Sequence, residues 1–121
     1  MKLNHINLTV TDISAATHFL ETYFGLRTLA DNQMLTVLTD DDNLIFTLTK
    51  AGQVNYPNSF HIGFVQENAE QVNTIYHQLK DGGFEMKPPQ RSHAMPGGKY
   101  AWNFYVQAPG SFMVEVLTAV D

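Results

Sequence analysis

The two halves of the sequence show the same order of predicted strands and helices, and this internal repeat limits the folds that the chain can adopt. In each half a short strand precedes an amphipathic helix, and three further strand-like stretches follow. The halves cover residues 1–50 and 58–121, and residues 51–57 form a Gly-, Pro- and Asn-containing linker. Two copies of one supersecondary unit are expected to pack with approximate two-fold symmetry. The repeat therefore predicts one α+β domain over residues 1–121, built from two βαβββ modules.

The first module begins with an alternating stretch, Leu3–Val10, whose more polar side carries His5. Thr11-Asp12 offers an N-cap for the helix that follows, and Gly25 is a suitable residue to end it. The remaining pattern predicts three strands, at about 26–31, 34–39 and 43–50.

The second module begins with the strand Ser59–Gln66, in which His61 lies on the less apolar side. Asn68 is a suitable N-cap for the second helix, and Gly82-Gly83 ends it. Strands are predicted at about 84–88, 99–107 and 111–117.

The segment at residues 90–99 is rich in Gly and Pro, which predicts a loop before the long strand. It carries Arg91, His93 and Lys99. Two interpretations stay open: a lid that meets an anionic substrate, or a mobile loop in solvent.

Composition and charge exclude several functional classes. The chain has no cysteine, so disulfides and thiolate metal sites are excluded. The net charge is −5 and the seven Lys and Arg residues are scattered, which argues against nucleic acid as a partner. No apolar run is long enough to span a membrane, and residues 1–5 lead into a strand-like pattern without the apolar stretch of a secretory signal, so we expect a cytoplasmic protein without a membrane partner.

A carboxylate lies within the apolar, β-branched run Ser111–Leu117, which predicts a buried strand. Taken alone, this residue, Glu115, would more often face solvent. The repeat changes that expectation, because His5 and His61 occupy matching positions 56 residues apart and each is followed by Ile. If the first strands of the modules meet, both histidines lie near Glu115. Two imidazoles and a carboxylate suit a divalent metal, and Fe, Mn, Ni, Co and Zn all remain open.

At these residues the chain resembles the vicinal oxygen chelate superfamily, the glyoxalase/bleomycin resistance protein/dioxygenase family. The resemblance covers nearly the whole chain. It rests on Asn4–Val10 followed by Asp12, on a helix ending Phe24-Gly25-Leu26, on Phe60-His61-Ile62, and on Ala108–Val116. The resemblance implies two βαβββ modules that form a cupped mixed sheet around a metal, with ligands that match His5, His61 and Glu115.

Two positions depart from the family pattern. Glyoxalase I enzymes commonly carry a fourth ligand at the position of Thr47, which the repeat matches to Glu115. Thr is a poor ligand, so methylglyoxal chemistry is less favoured and a three-ligand site is expected. The turn before the last strand is Ala108-Pro109-Gly110-Ser111 rather than an Asp-Pro-Asp-Gly type, and we attach no functional meaning to this change.

The resemblance implies a metal-dependent enzyme that chelates vicinal oxygens of a small substrate and stabilises developing negative charge. Isomerisation, ring-cleaving oxygenation and epoxide opening all remain open. The alternative is a non-catalytic protein that sequesters a small, antibiotic-type or cationic ligand, although bleomycin-binding members lack the metal ligands. The resemblance also implies a homodimer, in which His5 of one chain meets His61 and Glu115 either of the same chain or of its partner.

Strand alternation and the repeat also predict which residues contact the substrate. Asn103 and Tyr105 share one face of the long strand, and Tyr105 is a candidate donor to a substrate oxygen. Trp102 and Phe104 then lie on the helix-covered face as core. The remaining candidates for substrate binding are Thr47, Arg91 and His93.

Overall fold

The computed structural model describes residues 1–121 and confirms the α+β class with two βαβββ modules. The first module has β1 (His5–Val10), α1 (Ile13–Phe24), β2 (Arg27–Asp31), β3 (Leu35–Thr39) and β4 (Ile45–Lys50). The second has β5 (Ile62–Val65), α2 (Ala69–Asp81), β6 (Gln90–Met95), β7 (Lys99–Ala108) and β8 (Phe112–Val120). The chain divides into two compact units, 1–58 with 108–112 and 59–107 with 113–121.

The first unit contains a four-stranded mixed sheet in the order β1-β4-β3-β2. β1 runs parallel to β4, and the other neighbours are antiparallel. The helix α1 begins at Asp12, whose carboxylate accepts from the backbone N–H of Ala15 at 3.0 Å. It ends at Gly25, which has a left-handed φ of 69°. The buried face of α1 and the sheet form one apolar core, with Phe19, Leu20, Leu38 and Leu48 all fully buried.

The second unit contains the matching sheet, in the order β5-β8-β7-β6. Its helix α2 is capped by Asn68, whose side chain accepts from Gln71 N–H at 2.9 Å. The indole N–H of Trp102 on β7 donates to Asn73 of α2 at 2.9 Å. The ring of Phe104 lies 5.6 Å from that of Tyr76 on the same helix. These contacts confirm the predicted helix-covered face of β7.

The strand register shows how closely the two modules match. Asn7, two residues after His5, pairs with Thr47, and Gly63, two residues after His61, pairs with Glu115. Thr47 and Glu115 are therefore equivalent positions, as the sequence repeat predicts.

Two predictions about the second module are wrong. Residues 84–88 form no strand, because Pro88 and the adjoining Pro89 have no N–H to donate to a ladder hydrogen bond. The segment predicted as a loop at residues 90–99 instead contains the strand β6, which pairs antiparallel with β7 and has an irregular register between Arg91 and Ala94. Only the 3-10 turn Pro96–Gly98, which joins β6 to β7, lies outside a strand in this segment. The side chains of β6 are mostly polar, so its sequence lacks the apolar alternation by which strands are recognised.

The helices of the structure are short, and neither α1 nor α2 has the length and apolar character that crossing a bilayer requires.

Gly110 and Gly83 allow a matched test of the turn before β8, because both have a positive φ, 97° and 92° respectively. A Cβ at Gly110 would lie 3.1 Å from the Cβ of Val10, whereas a Cβ at Gly83 would meet nothing within 4 Å. We expect Gly83→Ala to lower the free energy of unfolding by about 1–2 kcal/mol through backbone strain alone. Gly110→Ala should cost about 1–3 kcal/mol more through overpacking. Urea denaturation measures both, and equal losses would contradict the close approach.

Candidate functional site

The candidate site is built around the carboxylate of Glu115 on β8. This side chain is only 5% exposed, in the middle of a strand whose neighbours Val114 and Val116 are fully buried. Burying a carboxylate is costly unless hydrogen bonds or a cation compensate for the lost water. The contacts of its two oxygens therefore define the chemistry that the site supports.

The Oε1 atom of Glu115 faces His61, whose Nε2 lies 3.3 Å away. The other ring nitrogen of His61, Nδ1, lies 2.9 Å from the carbonyl oxygen of Ser59. A carbonyl only accepts, so Nδ1 carries the hydrogen, and the neutral ring presents the Nε2 lone pair to the carboxylate. Two electron-rich atoms face each other, and this contact is favourable only with a cation or a proton between them.

The Oε2 atom is held by two other side chains of the second unit. Asn103, which is 3% exposed, donates its amide N–H to Oε2 at 2.7 Å. The amide oxygen of Asn103 in turn accepts from the Ser92 hydroxyl at 2.8 Å. This Ser92–Asn103–Glu115 chain fixes both the flip of the amide and the plane of the carboxylate. The Nε2 atom of His93 also lies 3.3 Å from Oε2.

Two further groups respond to the charge of Glu115. A hydrogen bond with Glu115 raises the pKa of His93 above its ordinary value, with a smaller contribution from the Ala94 carbonyl. Burial, and secondarily the negative charge of Glu115, raises the pKa of the Tyr105 phenol. The ring of Tyr105 packs edge-on against His61, with centroids 5.4 Å apart. Tyr105 therefore stays a neutral hydrogen-bond donor across the physiological pH range.

The structure brings five of the predicted site residues together in the second unit: His61, His93, Asn103, Tyr105 and Glu115. Arg91 lies elsewhere, with its guanidinium 3.8 Å from the ring centre of Tyr100. Ser92 was missed by sequence reasoning, because a serine in a segment predicted as a loop gave no signal of a role.

The other two predicted residues belong to the first unit. His5 is exposed, and its Nδ1 lies 2.6 Å from the side-chain oxygen of Asn4, which leaves Nε2 free to bind a cation. The hydroxyl of Thr47 donates to the carbonyl of Ile6 at 3.2 Å. No group of three or more His, Cys, Asp or Glu side chains is arranged to hold a metal ion. The ligand role of His5 stays a prediction.

Comparisons with known proteins establish the family. Residues 2–116 match the model of the Glyoxalase/Bleomycin resistance protein/Dioxygenase superfamily. A solved structure of a possible glyoxalase from Bacillus cereus is 46% identical, with a TM-score of 0.87 and coverage of 97% of this chain and 98% of that one. The chain therefore belongs to this superfamily, as the resemblance in its sequence indicated. No curated protein matches the chain.

Two more distant structures share the fold. A genomically encoded fosfomycin resistance protein from Listeria monocytogenes, complexed with Mn(II) and sulfate, is 20% identical with a TM-score of 0.80. The match covers 98% of this chain and 90% of that one. Lactoylglutathione lyase from Agrobacterium tumefaciens is 18% identical with a TM-score of 0.72, covering 97% of this chain and 92% of that one.

The contact between His93 and Glu115 predicts a pH effect in metal-free protein. We expect the pKa of His93, measured by NMR, to lie above 6.5 in the wild type and to fall in Glu115→Gln. Because folding raises this pKa, the stability that the contact adds is complete below pH 6.5 and is lost as the pH rises through the raised pKa. An unchanged pKa of His93 in Glu115→Gln would show that the carboxylate does not act on it.

Proposed function

We propose that this protein is a metal-dependent enzyme in which His61, Glu115 and His5 bind a divalent cation. The observation that carries the proposal is the 3.3 Å separation between His61 Nε2 and Glu115 Oε1, with a lone pair on each atom. Two ligands that each lie about 2.1 Å from a metal, at angles of 90° to 110°, are about 3.0–3.4 Å apart. The observed spacing therefore fits two neighbouring ligands of one cation.

The surroundings of this pair support a metal over a shared proton. The Ser59 carbonyl orients the imidazole, as is usual for metal-binding histidines. Imidazole and carboxylate donors suit Mn, Fe, Co, Ni or Zn. The fosfomycin resistance protein of the same fold, crystallised with Mn(II), supports this choice of chemistry.

The residues around the metal ligands have distinct roles in this proposal. A bound cation supplies Lewis acidity that polarises an oxygen of the substrate. Asn103, which is itself oriented by Ser92, donates to Oε2, so that Glu115 presents Oε1 toward His61. Tyr105, whose phenol stays neutral, donates a hydrogen bond to a substrate oxygen.

Metal content tests the proposal directly. Protein reconstituted with Mn(II), Co(II), Ni(II) or Zn(II) should hold about one ion per chain by mass spectrometry and calorimetry. His61→Ala, Glu115→Gln and His5→Ala should each weaken binding at least about 100-fold, because each removes a ligand. His18→Ala is the control, since this histidine lies on α1, where its ring nitrogen is 3.5 Å from the Thr22 hydroxyl, and is not one of the proposed ligands. If the wild type binds none of these metals, the proposal fails.

The Ser92–Asn103–Glu115 chain gives a second test. Asn103→Leu should raise the metal Kd about 10–100-fold, because Glu115 loses the donor that orients it. Asn73→Leu is the matched control: it removes the amide that accepts from Trp102 and leaves the Glu115 contacts intact. Calorimetric titration of both variants measures the effect. If Asn103→Leu and Asn73→Leu bind the metal equally well, the Ser92–Asn103–Glu115 hydrogen bonds contribute to stability and not to metal binding.

We also infer that the active form is a homodimer. β1, which begins at His5, and β5, which begins just after His61, each lie at the edge of their own sheet, and an edge strand can pair with another chain. In β1 the Tyr56 hydroxyl already bonds the N–H and the C=O of Thr9. In the family pattern such modules pair between chains, so His5 of one copy would complete the site of the other.

Mixed dimers test this arrangement. His5→Ala and His61→Ala chains, unfolded and refolded together, should regain about a quarter of the wild-type metal sites, because half of the dimers are mixed and each carries one intact site. Each variant refolded alone should regain none. Absence of recovery in the mixture would place all ligands in one chain.

A further inference from the structure

A cavity of about 240 Å³ in the second unit adjoins the Glu115 cluster. Its lining includes His93 and Asn103, the two side chains that contact Glu115 Oε2. It also includes Tyr105, which packs on His61. A molecule in this cavity would therefore lie against the same residues that surround the proposed metal ligands.

The charge of the side chains that line this cavity differs in sign from the net charge of the whole chain. The chain carries a net charge of −5, yet no Asp or Glu lines the cavity. Among its polar lining residues, Asn103 and Ser92 already donate to Glu115 and to Asn103, whereas the ammonium of Lys87 and the amide of Gln90 are available to a ligand. The ammonium matches a ligand rich in acceptor oxygens.

Lys87 is the only cation of the second unit without a partner in the structure. Lys99 forms a salt bridge with Asp121, and Arg91 stacks on Tyr100. Lys80 lies over the ring of Tyr76, 6.0 Å from its centre. Lys87 forms no ion pair, hydrogen bond or ring contact, so its ammonium is available to a ligand.

The size of the cavity limits the ligand further. Sites for drug-sized molecules have volumes of about 300–1,000 Å³, and this cavity is smaller. Pro88 and Phe104 contribute apolar wall beside the polar groups. A compact molecule with a short carbon skeleton fills this cavity, whereas a larger ligand such as a glutathione adduct would extend beyond it.

We infer that the substrate is a small molecule with an anionic group, a carboxylate or a tetrahedral oxyanion, that Lys87 binds. The other end of the molecule carries the oxygens that reach Tyr105 and His93. The inference rests on the proposed function, since it takes the cavity as the place of the substrate. It assigns the anion to Lys87 rather than to Arg91 or Lys99, which were the candidates if the segment at residues 90–99 met an anionic substrate.

Binding of small anions to metal-free protein tests the inference independently of the metal. Protein treated with EDTA is titrated with methylphosphonate, with acetate and with neutral dimethyl methylphosphonate at low salt, and NMR follows the backbone amides. At least one of the two anions should bind and shift the amides of Lys87, Gln90 and His93, and the neutral ester should not. Lys87→Met should weaken this binding at least about 5-fold, whereas Lys2→Met, which removes the same charge from the first unit, should change it less than about 2-fold.

Four results would overturn the inference. In the first, Lys87→Met binds the anions as tightly as the wild type, and in the second, the ester binds as tightly as the anions. In the third, the anions shift only amides outside the cavity. In the fourth, S-methylglutathione binds more tightly than either small anion. The first three would remove Lys87 as the anion site, and the fourth would remove the size limit. Because the titration needs no metal, these results leave the proposed metal ligands to be judged by metal content alone.

Discussion

The proposed chemistry of this chain depends on the contact between the Glu115 carboxylate and the His61 imidazole. The carboxylate is buried in an apolar strand, where water cannot solvate it, and the imidazole turns its Nε2 lone pair toward it instead of donating a hydrogen bond. Burying a charge beside another electron-rich atom is unfavourable without a compensating positive charge. The other contacts of Glu115 follow from the same requirement, because Asn103 and His93 occupy Oε2 and leave Oε1 to face His61.

The two modules share a backbone plan and differ in the chemistry of their last strands. Thr47 and Glu115 occupy equivalent register positions, yet the threonine hydroxyl satisfies a backbone carbonyl whereas the carboxylate gathers several side chains. Duplication of a supersecondary unit preserves the strand order and the pairing register. It does not require both copies to keep a charged group, and only the second unit has a carboxylate at this position.

Much of the fold could be predicted from the sequence, because the capping residues and the periodicity of apolar residues recur in the same order in both halves. Helix caps at Asp12 and Asn68 and the equivalence of Thr47 with Glu115 could all be predicted. The strand β6 could not, because its polar side chains resemble a loop and its place is set by pairing with β7. For the same reason Ser92 gave no signal, and Arg91 and Lys99 seemed free when tertiary contacts in fact engage them.

Anomalous diffraction from crystals grown with Mn(II) would examine the His61–Glu115 pair most directly. The account predicts one anomalous peak per chain, at about 2.0–2.2 Å from both His61 Nε2 and Glu115 Oε1, with Asn103 still bonded to Oε2. The same map would show whether His5 completes the coordination and from which copy it comes. A direct hydrogen bond between His61 and Glu115, with no metal peak between them at saturating Mn(II), would contradict the account.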